Sequence, residues 1–368
     1  MNVKDFKFGI LGMARSGLAA AYKIKQLGGN LFLSELKPED KITNFQKIKN
    51  NFECEFGGHT EKILDKGIII VSPGIPLDIP ILQKAKQKNI KLISEIEFGF
   101  LIKHPSSKII AVTGSNGKST TVSLIHHILQ TRGYNSALGG NIGTAFTSLP
   151  IEQEGIDFIV LEISSFQLEL IEKFKPDVAI ILNITPDHLN RYTNFDEYIL
   201  AKFNIFKNQN KDNFAIINLD DEISSRIKNE ISSTKKYFSL KSKTDIYFDG
   251  KYINFKEEKI SIKDSTLKGP HNIANIMASI LAVSQYGVKN EVIEKALTTF
   301  KSLPHRLEFV CEINGIKFIN DSKATNTESV KYALQSFEKP IRIIMGGAGK
   351  GEDYSVLNPY LKKYAKKV

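Results

Sequence analysis

The sequence predicts an α/β protein with about two to three domains, because its 368 residues allow roughly 150 residues for each. Short apolar runs of strand length alternate with stretches of helical periodicity, which is typical of parallel sheets covered by helices. A glycine-rich loop between one such run and an amphipathic helix is a further sign of this fold class.

The first 96 residues are predicted to form one α/β domain. Strand patterns lie at residues 6–11, 30–34, 67–71 and 91–93, with helical patterns between them. Lys103, His104 and Pro105 interrupt the pattern and are followed by two serines, which suits a connection. We therefore place a domain boundary near residue 96, so that the first domain is 1–96.

Two further units follow. Residues 97–303 have strand patterns at 108–112, 157–163, 177–184 and 213–218 and end with helical patterns at 271–286 and 291–300. Residues 304–368 have strand patterns at 307–313, 317–320 and 341–345 and helical patterns at 328–337 and 355–367. The last unit contains too few elements to complete a doubly wound sheet.

The composition argues against several classes of protein. The apolar runs are far shorter than the ~20 residues of a membrane helix, and no secretory signal is visible. The formal net charge is +10, yet only six arginines are present, and arginine is the residue best suited to reading bases and phosphates. Cys54 and Cys311 lack metal-ligand spacing. We expect a cytoplasmic monomer that binds small anionic substrates, and neither nucleic acid nor membranes.

The strongest local motif is GSNGKST at residues 114–120, between the strand pattern 108–112 and a helical pattern. Glycines let backbone N–H groups converge on phosphate oxygens, Lys118 can reach the terminal phosphates, and the Ser119 hydroxyl can bind Mg²⁺. Val112 stands where the strict phosphate-loop pattern has glycine, so the motif is a variant. We predict that ATP is bound by Gly114, Ser115, Asn116, Gly117, Lys118, Ser119 and Thr120.

This loop resembles the ATP loop of the Mur ligases and of the related folylpolyglutamate synthetases. The strings EISSFQL at 162–168, NITPDHLNRY at 183–192, AK at 201–202 and HNIAN at 271–275 resemble the central domain of the Mur ligases. LPHRLE at 303–308, NDSKATN at 320–326 and GGAGKG at 346–351 resemble the C-terminal domain. The resemblance implies a three-domain Mur ligase architecture: a Rossmann-like N-terminal domain, a central ATPase domain with a phosphate loop, and an incomplete Rossmann-like C-terminal domain.

The SSFQL and DSKATN strings favour the branch of the family that joins D-glutamate to UDP-N-acetylmuramoyl-L-alanine. The resemblance then implies ATP-dependent amide formation through an acyl phosphate in peptidoglycan precursor synthesis, with ATP and two Mg²⁺ ions as cofactors. A folylpolyglutamate synthetase-like ligase and a nucleotide-sugar-binding protein without turnover stay open as alternatives. Family members continue beyond the position of Val368, so we expect slow ligation and uncovered apolar residues around positions 341–345.

Three residues outside the loop are candidates for metal chemistry. Glu162 ends an apolar strand, where it could hold Mg²⁺ with Ser119, although a solvated strand-end glutamate is the alternative. His188 follows a Pro-Asp turn, and Lys202 has the spacing of an exposed helical lysine. The resemblance assigns catalytic roles to Lys118, His188 and Lys202. It also makes His188 a ligand of a second Mg²⁺ and makes Lys202 a carbamylated metal ligand.

Other candidates concern the substrates. Asn272 and Asn275 lie three apart on one helical face. The family uses such residues around adenine, while helix capping is the alternative. The resemblance assigns the remaining ATP contacts to Arg306, Asp321 and Lys323, and the D-glutamate contacts to Thr325 and Lys350.

The N-terminal glycines Gly9, Gly12 and Gly17, followed by Glu35 about twenty residues after the first strand, look like a dinucleotide fingerprint. Their spacing differs from G-x-G-x-x-G, so turn glycines remain an alternative and a nicotinamide cofactor is disfavoured. The resemblance places the UDP part of the substrate here. The residues implied are Met13, Ala14, Arg15, Ser16 and Glu35, with Asn141 contributed by the central domain.

Overall fold

The computed structural model describes residues 1–187, 191–337, 339–347 and 353–368. Two large sheets, each flanked by helices, are followed by a smaller unit with two short sheets. The predicted α/β class with parallel sheets is therefore confirmed. The predicted boundary at residue 96 falls within the helix Glu95–Ile102, and the one at residue 303 follows the helix Asn290–Thr299. The domain ranges stay predictions.

The first sheet is parallel and has the strand order β3-β2-β1-β4-β5. Its central strands are buried on both faces, as in sheets covered by helices on two sides. The strands are β1 (Lys7–Leu11), β2 (Asn30–Glu35), β3 (Glu53–Phe56), β4 (Ile68–Val71) and β5 (Lys91–Ser94). The helices are α1 (Arg15–Gln26), α2 (Phe45–Asn51), α3 (Pro80–Gln87) and α4 (Glu95–Ile102).

The second sheet has nine strands in the order β14-β13-β12-β11-β10-β9-β6-β8-β7. Its neighbouring strands are parallel except for the pairs β12–β13 and β13–β14, which are antiparallel. Its strands are β6 (Lys108–Thr113), β7 (Ser136–Gly140), β8 (Phe158–Glu162), β9 (Val178–Ile181), β10 (Phe214–Asn218), β11 (Thr234–Ser239), β12 (Ile246–Phe248), β13 (Tyr252–Phe255) and β14 (Glu258–Ser261). Its helices are α5 (Lys118–Arg132), α6 (Ser165–Leu168), α7 (Phe195–Phe203), α8 (Glu222–Ile227), α9 (Pro270–Ser284) and α10 (Asn290–Thr299).

The third unit differs from its predicted form. A hairpin of β15 (Glu308–Ile313) and β16 (Ile316–Asn320) precedes α11 (Thr327–Gln335). The strand expected at 341–345 is shorter, β17 (Ile341–Arg342), and the helix expected at 355–367 is wrong at its end. There α12 (Asn358–Tyr364) gives way to β18 (Ala365–Lys367), because these residues pair in parallel with β17.

Apolar side chains of the third unit are largely uncovered. Among its described residues, only Leu334 and Leu357 are buried apolar side chains. Ile344 and Met345 are exposed, as the sequence predicts for this region. The exposed side chains of the hairpin include Phe309 and Phe318.

The first two sheets share one continuous core. Phe8 of β1 packs edge-on against Phe98 of α4 with ring centroids 5.5 Å apart, and both side chains are fully buried. Phe146 of the central part belongs to the same cluster. Lys23 of α1 forms a 2.7 Å ion pair with Glu152 across the same junction. The N-terminal and central parts are therefore joined by packing as well as by the chain.

None of the helices in the described parts of the chain has both the length and the apolarity that crossing a bilayer requires.

Candidate active site

The loop between β6 and α5 has a backbone that only glycine fits at two points. Gly114 and Gly117 have φ values of 150° and 87°, a region that residues with a β-carbon rarely adopt. A β-carbon on Gly117 would lie 2.4 Å from the Asn275 side-chain oxygen. The loop backbone can therefore lie directly against α9, and the N-terminus of the 15-residue helix α5 opens onto it.

Asn183, just after β9, holds the loop in place. Its side-chain oxygen accepts a 2.8 Å bond from the Asn116 backbone N–H, and its Nδ2 donates to the Asn116 carbonyl at 3.1 Å. The Asn183 carbonyl accepts a 2.9 Å bond from the Ser115 N–H. Ser115 Oγ donates in turn to the Thr185 carbonyl at 3.0 Å. These bonds fix the loop before any ligand is considered.

Two lysine amines meet at one carbonyl of this loop. Lys118 Nζ donates to the carbonyls of Gly114 and Ser115 at 2.7 and 2.8 Å. Lys202 Nζ donates to the same Gly114 carbonyl at 2.9 Å and lies 4.6 Å from the Tyr198 ring centroid. Lys202 is only 2% exposed, so the exposed position that its helical spacing indicates is wrong. Packing of α7 against the loop decides its burial.

Burial lowers the pKa of both amines. For Lys202 the neighbouring Lys118 lowers the pKa further, while Asp187 and Glu162 oppose the shift, and the net pKa lies well below the usual 10.5. For Lys118, burial also dominates, Glu162 and Asp187 raise the pKa, and Arg306 lowers it. The surroundings therefore favour the neutral form of each amine more than water does.

Glu162 lies between the loop and the predicted UDP side. Its Oε2 accepts a 2.6 Å bond from Ser119 Oγ, and its Oε1 accepts a 2.7 Å bond from Asn141 Nδ2. The side chain is 4% exposed, which disfavours the solvated strand-end glutamate considered above. Three residues predicted from separate motifs are thus brought together.

The third unit reaches the same loop. Arg306 Nη2 donates to Ser119 Oγ at 3.3 Å. The Asn116 side-chain oxygen accepts bonds from Asn326 Nδ2 at 3.2 Å and from Ser329 Oγ at 2.8 Å. Two residues of the loop therefore contact residues more than 180 positions away in the chain.

A cavity of about 800 Å³ opens beside the loop and is lined by residues of the central and third units. Asn272 and Asn275 lie on its wall, where Asn275 Nδ2 donates to Asn272 Oδ1 at 3.3 Å. Leu182 and Leu267 give the wall apolar parts, and Asp321 is also on it. The volume and the mixture of apolar walls with a few polar groups suit a nucleotide-sized ligand.

At the N-terminal sheet, Glu35 accepts a 2.7 Å bond from the Met13 N–H and a 3.1 Å bond from the Lys37 N–H. Glu35 thus fixes the turn that precedes α1. Arg15 reaches the central part, where its guanidinium donates to the carbonyls of Gly143 at 3.0 Å and Asn141 at 2.7 Å. The turn predicted to bind UDP is therefore attached to the loop that carries Asn141.

The other predicted residues are placed as follows. Ala14 precedes the first turn of α1, Ser16 is buried within it, and Thr120 is buried in α5. Asp321 accepts a 3.1 Å bond from the Leu307 N–H, and burial raises its pKa. Lys323 and Thr325 are exposed on the loop before α11. His188 and Lys350 lie outside the described residues.

Three contributors were not predicted from the sequence. Asn183 is a polar residue just beyond a buried strand. Binding sites in parallel sheets lie at this end of the strands, so the sequence does contain a pattern that indicates Asn183. The burial of Tyr198, which lies beneath Lys202, follows from tertiary packing. Ser329 contacts Asn116 across the fold, and no local pattern indicates that contact.

The donor set suits a hard cation such as Mg²⁺. Glu162 and Ser119 supply a carboxylate and a hydroxyl side by side, and these are ligands that Mg²⁺ accepts. The Thr113 hydroxyl at the end of β6 is buried and has no hydrogen-bond partner among the described residues, so its oxygen is available to a ligand. Within the described ranges, no three His, Cys, Asp or Glu side chains converge as a metal cluster.

Family comparisons agree with this geometry. The family model of the Mur ligase middle domain matches residues 112–283. The model of the N-terminal domain of MurD-like Mur ligases matches residues 7–94. The two matches thus cover the first sheet and the sheet that carries the loop.

Curated relatives align with nearly the whole chain. The UDP-N-acetylmuramoylalanine--D-glutamate ligase of Koribacter versatilis is 39% identical over 382 residues, covering 100% of this chain and 83% of the relative. The ligase of the same name from Cytophaga hutchinsonii is 42% identical over 371 residues, covering 97% of this chain and 82% of the relative.

Solved structures share the fold at lower identity. The UDP-N-acetylmuramate-alanine ligase of Thermotoga maritima superposes with a TM-score of 0.58 at 21% identity, covering 90% of this chain and 77% of that protein. A UDP-N-acetylmuramate:L-alanyl-gamma-D-glutamyl-meso-diaminopimelate ligase from Neisseria meningitides gives 0.59 at 15% identity, covering 81% and 99%. Identity with the curated relatives over the whole length shows the descent, and the chain therefore belongs to the Mur ligase family.

Proposed function

We propose that this protein joins D-glutamate to UDP-N-acetylmuramoyl-L-alanine at the expense of ATP. The relatives that align with it over nearly its full length are named as ligases of this substrate and amino acid. One observation carries the proposal for the site itself. Lys202 and Glu162 are buried and Lys118 is half-buried around the glycine loop, and Glu162 also bonds Asn141 on the predicted UDP side.

ATP would lie with its phosphates on the loop and its base in the adjoining cavity. The loop N–H groups and the N-terminus of α5 favour anions. Lys118 and Arg306 would hold the terminal phosphates, since both contact the loop already. Asn272 and Asn275 line the cavity where the base would lie, and Asp321 on the same wall suits the ribose hydroxyls.

Mg²⁺ would be held by Ser119 and Glu162, with His188 and the Lys202 carbamate completing a second site. When bound, Mg²⁺ neutralises charge that would otherwise keep a carboxylate from a triphosphate. Arg306 reaches Ser119 from the third unit, so the same residue can contact the phosphates once Ser119 turns to a metal.

Carbamylation of Lys202 is consistent with its surroundings. The reaction forms a bond between Nζ and the carbon of CO₂ and releases a proton, so it requires the neutral amine that burial favours. Among the residues that the structure describes, Lys202 Nζ has one hydrogen bond, to the neutral Gly114 carbonyl, and that carbonyl keeps Lys118 as a donor. Losing the ammonium therefore leaves no buried acceptor unpaired.

The reaction itself would take two steps. A carboxylate oxygen of the UDP substrate takes the γ-phosphoryl group, ADP leaves, and an acyl phosphate results. The amine of D-glutamate then forms the C–N bond, loses a proton and displaces phosphate. Thr325 and Lys350 would bind the D-glutamate dianion, for which a cation and a hydroxyl donor are suited.

Phosphate release measured with UDP-N-acetylmuramoyl-L-alanine, ATP and Mg²⁺ tests the proposal. We expect release with D-glutamate and little with L-glutamate or other amino acids, and mass spectrometry should find the amide product. A parallel reaction with a folate and L-glutamate serves as the control for the related ligase class. Release that is independent of the UDP substrate, or product formed only from the folate, would contradict the proposal.

A further inference from the structure

A hydrogen-bonded cluster at the carboxyl ends of β2 and β3 has no part in the chemistry described so far. Ser34 is fully buried at the end of β2. Its Oγ lies 2.6 Å from Glu55 Oε1 and 2.7 Å from His59 Nδ1. Glu55 accepts two more bonds from Thr60, at 2.9 Å from the N–H and 2.5 Å from the hydroxyl. All these groups lie on or next to the segment that ends β3.

The proton inventory of this cluster fixes the tautomer of His59. Burial by itself raises the pKa of Glu55, but the hydrogen bonds from Ser34 and Thr60 outweigh it and the net pKa is lowered, so the carboxylate is ionised and only accepts. The single Ser34 hydroxyl proton must therefore point to Glu55. Ser34 Oγ can then only accept from His59, so Nδ1 carries a hydrogen.

The other ring nitrogen is consequently an acceptor. Burial lowers the pKa of His59, against the opposing effects of Glu35 and Glu55, so the ring is neutral near pH 7 and Nε2 has a free lone pair. Within the described ranges Nε2 has no hydrogen-bond partner, and it is not among the buried polar atoms. The ring thus presents an acceptor outward.

The position of His59 relates it to the predicted UDP turn. The Gly58 N–H donates to the Glu35 carbonyl at 3.3 Å and the Gly57 N–H donates to the Lys37 carbonyl at 3.1 Å, which holds the His59 segment beside the end of β2. In sheets of this order a diphosphate lies at the turn after β1, and the sugar extends toward the acidic residue that ends β2. A base carried on that sugar would lie over the ends of β2 and β3, where His59 is.

We propose that His59 determines the specificity for the base of the nucleotide substrate by accepting a hydrogen bond from the ring N–H of uracil. Uracil carries a hydrogen at N3, whereas N3 of cytosine is itself an acceptor and would face the His59 lone pair. The inference rests on the proposed function, because it takes the UDP part of the substrate to bind at this sheet.

Calorimetric binding of UDP, CDP and UDP methylated at N3 tests the inference on the full chain. One hydrogen bond at a partly exposed site corresponds to about a fivefold to tenfold difference in affinity, so the natural protein should prefer UDP over both analogues by that factor. His59→Asn keeps a group at the position of Nδ1 for Ser34 and loses the outward acceptor. We expect it to bind all three ligands about equally.

His59→Gln places an amide oxygen near the position of Nε2 and should keep part of the preference for UDP. ATP binding at the central sheet, measured for each variant, verifies that the protein is folded.

¹⁵N NMR of the free protein should show His59 Nε2 as an unprotonated ring nitrogen whose signal shifts on adding UDP and not on adding the methylated analogue. A protonated Nε2 in the free protein would overturn the proposal, because His59 could then not accept a hydrogen bond from the base.

The possible failures are distinguishable. If UDP binds and His59→Asn keeps the full preference over CDP, the base-reading role is wrong while the proposed function stands. If the natural protein binds neither UDP nor UDP-N-acetylmuramoyl-L-alanine while binding ATP, the substrate assignment fails and this inference fails with it.

Discussion

Replacing Lys202 by methionine should make the free protein more stable and abolish its activity. Methionine has a similar shape, and the Gly114 carbonyl that Lys202 contacts keeps its 2.7 Å bond from Lys118, so the substitution leaves no buried acceptor unpaired. Replacing a buried ion pair by well-packed apolar residues is often neutral or gains about 1–4 kcal/mol, and the desolvation cost of a single buried amine is of the same order. We expect a gain within this range at pH 7.

The pH dependence of the gain gives the prediction its sign. Because burial lowers the pKa of Lys202 below its usual 10.5, the unfolded chain binds a proton between these two values that the folded chain does not. The stability of the natural protein therefore rises with pH in this window. The advantage of the variant should shrink by at most about 1.4 kcal/mol per pH unit, the limit for one proton.

Urea unfolding in CO₂-depleted buffer, followed by far-ultraviolet circular dichroism between pH 7 and 10, measures the difference. The chain has no tryptophan, so fluorescence is the weaker probe. Lys211→Met, at an exposed lysine, is the matched control and should change stability little. A Lys202→Met variant that is less stable at pH 7, or whose advantage grows with pH, would refute the argument from burial.

Three further substitutions probe other parts of the molecule. Lys118→Ala removes the amine at the phosphate loop and should abolish phosphate release. UDP binding at the N-terminal sheet, measured by calorimetry, should stay nearly unchanged. Normal turnover would exclude the loop as the ATP site. In Arg15→Lys, the single amine cannot bond the carbonyls of both Gly143 and Asn141 as the guanidinium does. Limited proteolysis should therefore cut faster between the first two sheets. An unchanged cutting rate would show that Arg15 does not join them. Phe98→Ala leaves a cavity at a fully buried position and should lower the free energy of unfolding by about 3–5 kcal/mol. A loss below about 1 kcal/mol would show that the shared core does not hold the two sheets together.

Local patterns predicted the elements that depend on neighbours in sequence. The strand before residue 114, the glycine loop and the helix after it were found because strand, turn and helix signals follow each other directly. Two strands of the second sheet lack such signals, since Thr234–Ser239 contains two lysines and Ser136–Gly140 ends in two glycines. Neither segment has the apolar alternation that marks a strand.

Contacts across the fold were beyond sequence reasoning for a physical reason. The bond from Arg15 to the Asn141 carbonyl joins residues of two sheets, and nothing near either residue indicates the other. The family resemblance supplied Lys202 where its spacing gave the opposite reading. Its burial depends on how α7 packs, a property of the assembled core rather than of the helix.

The carboxylate of Glu162 is shared by two sides of the site, and this gives the protein a thermodynamic property. One oxygen accepts from Ser119 on the nucleotide loop and the other accepts from Asn141, whose carbonyl binds Arg15. A ligand that draws Ser119 away changes the charge felt by Asn141, and a ligand at Asn141 changes the carboxylate offered to the loop. Thermodynamic linkage makes any such effect reciprocal. If one ligand changes the affinity of the second by some factor, the second ligand changes the affinity of the first by the same factor.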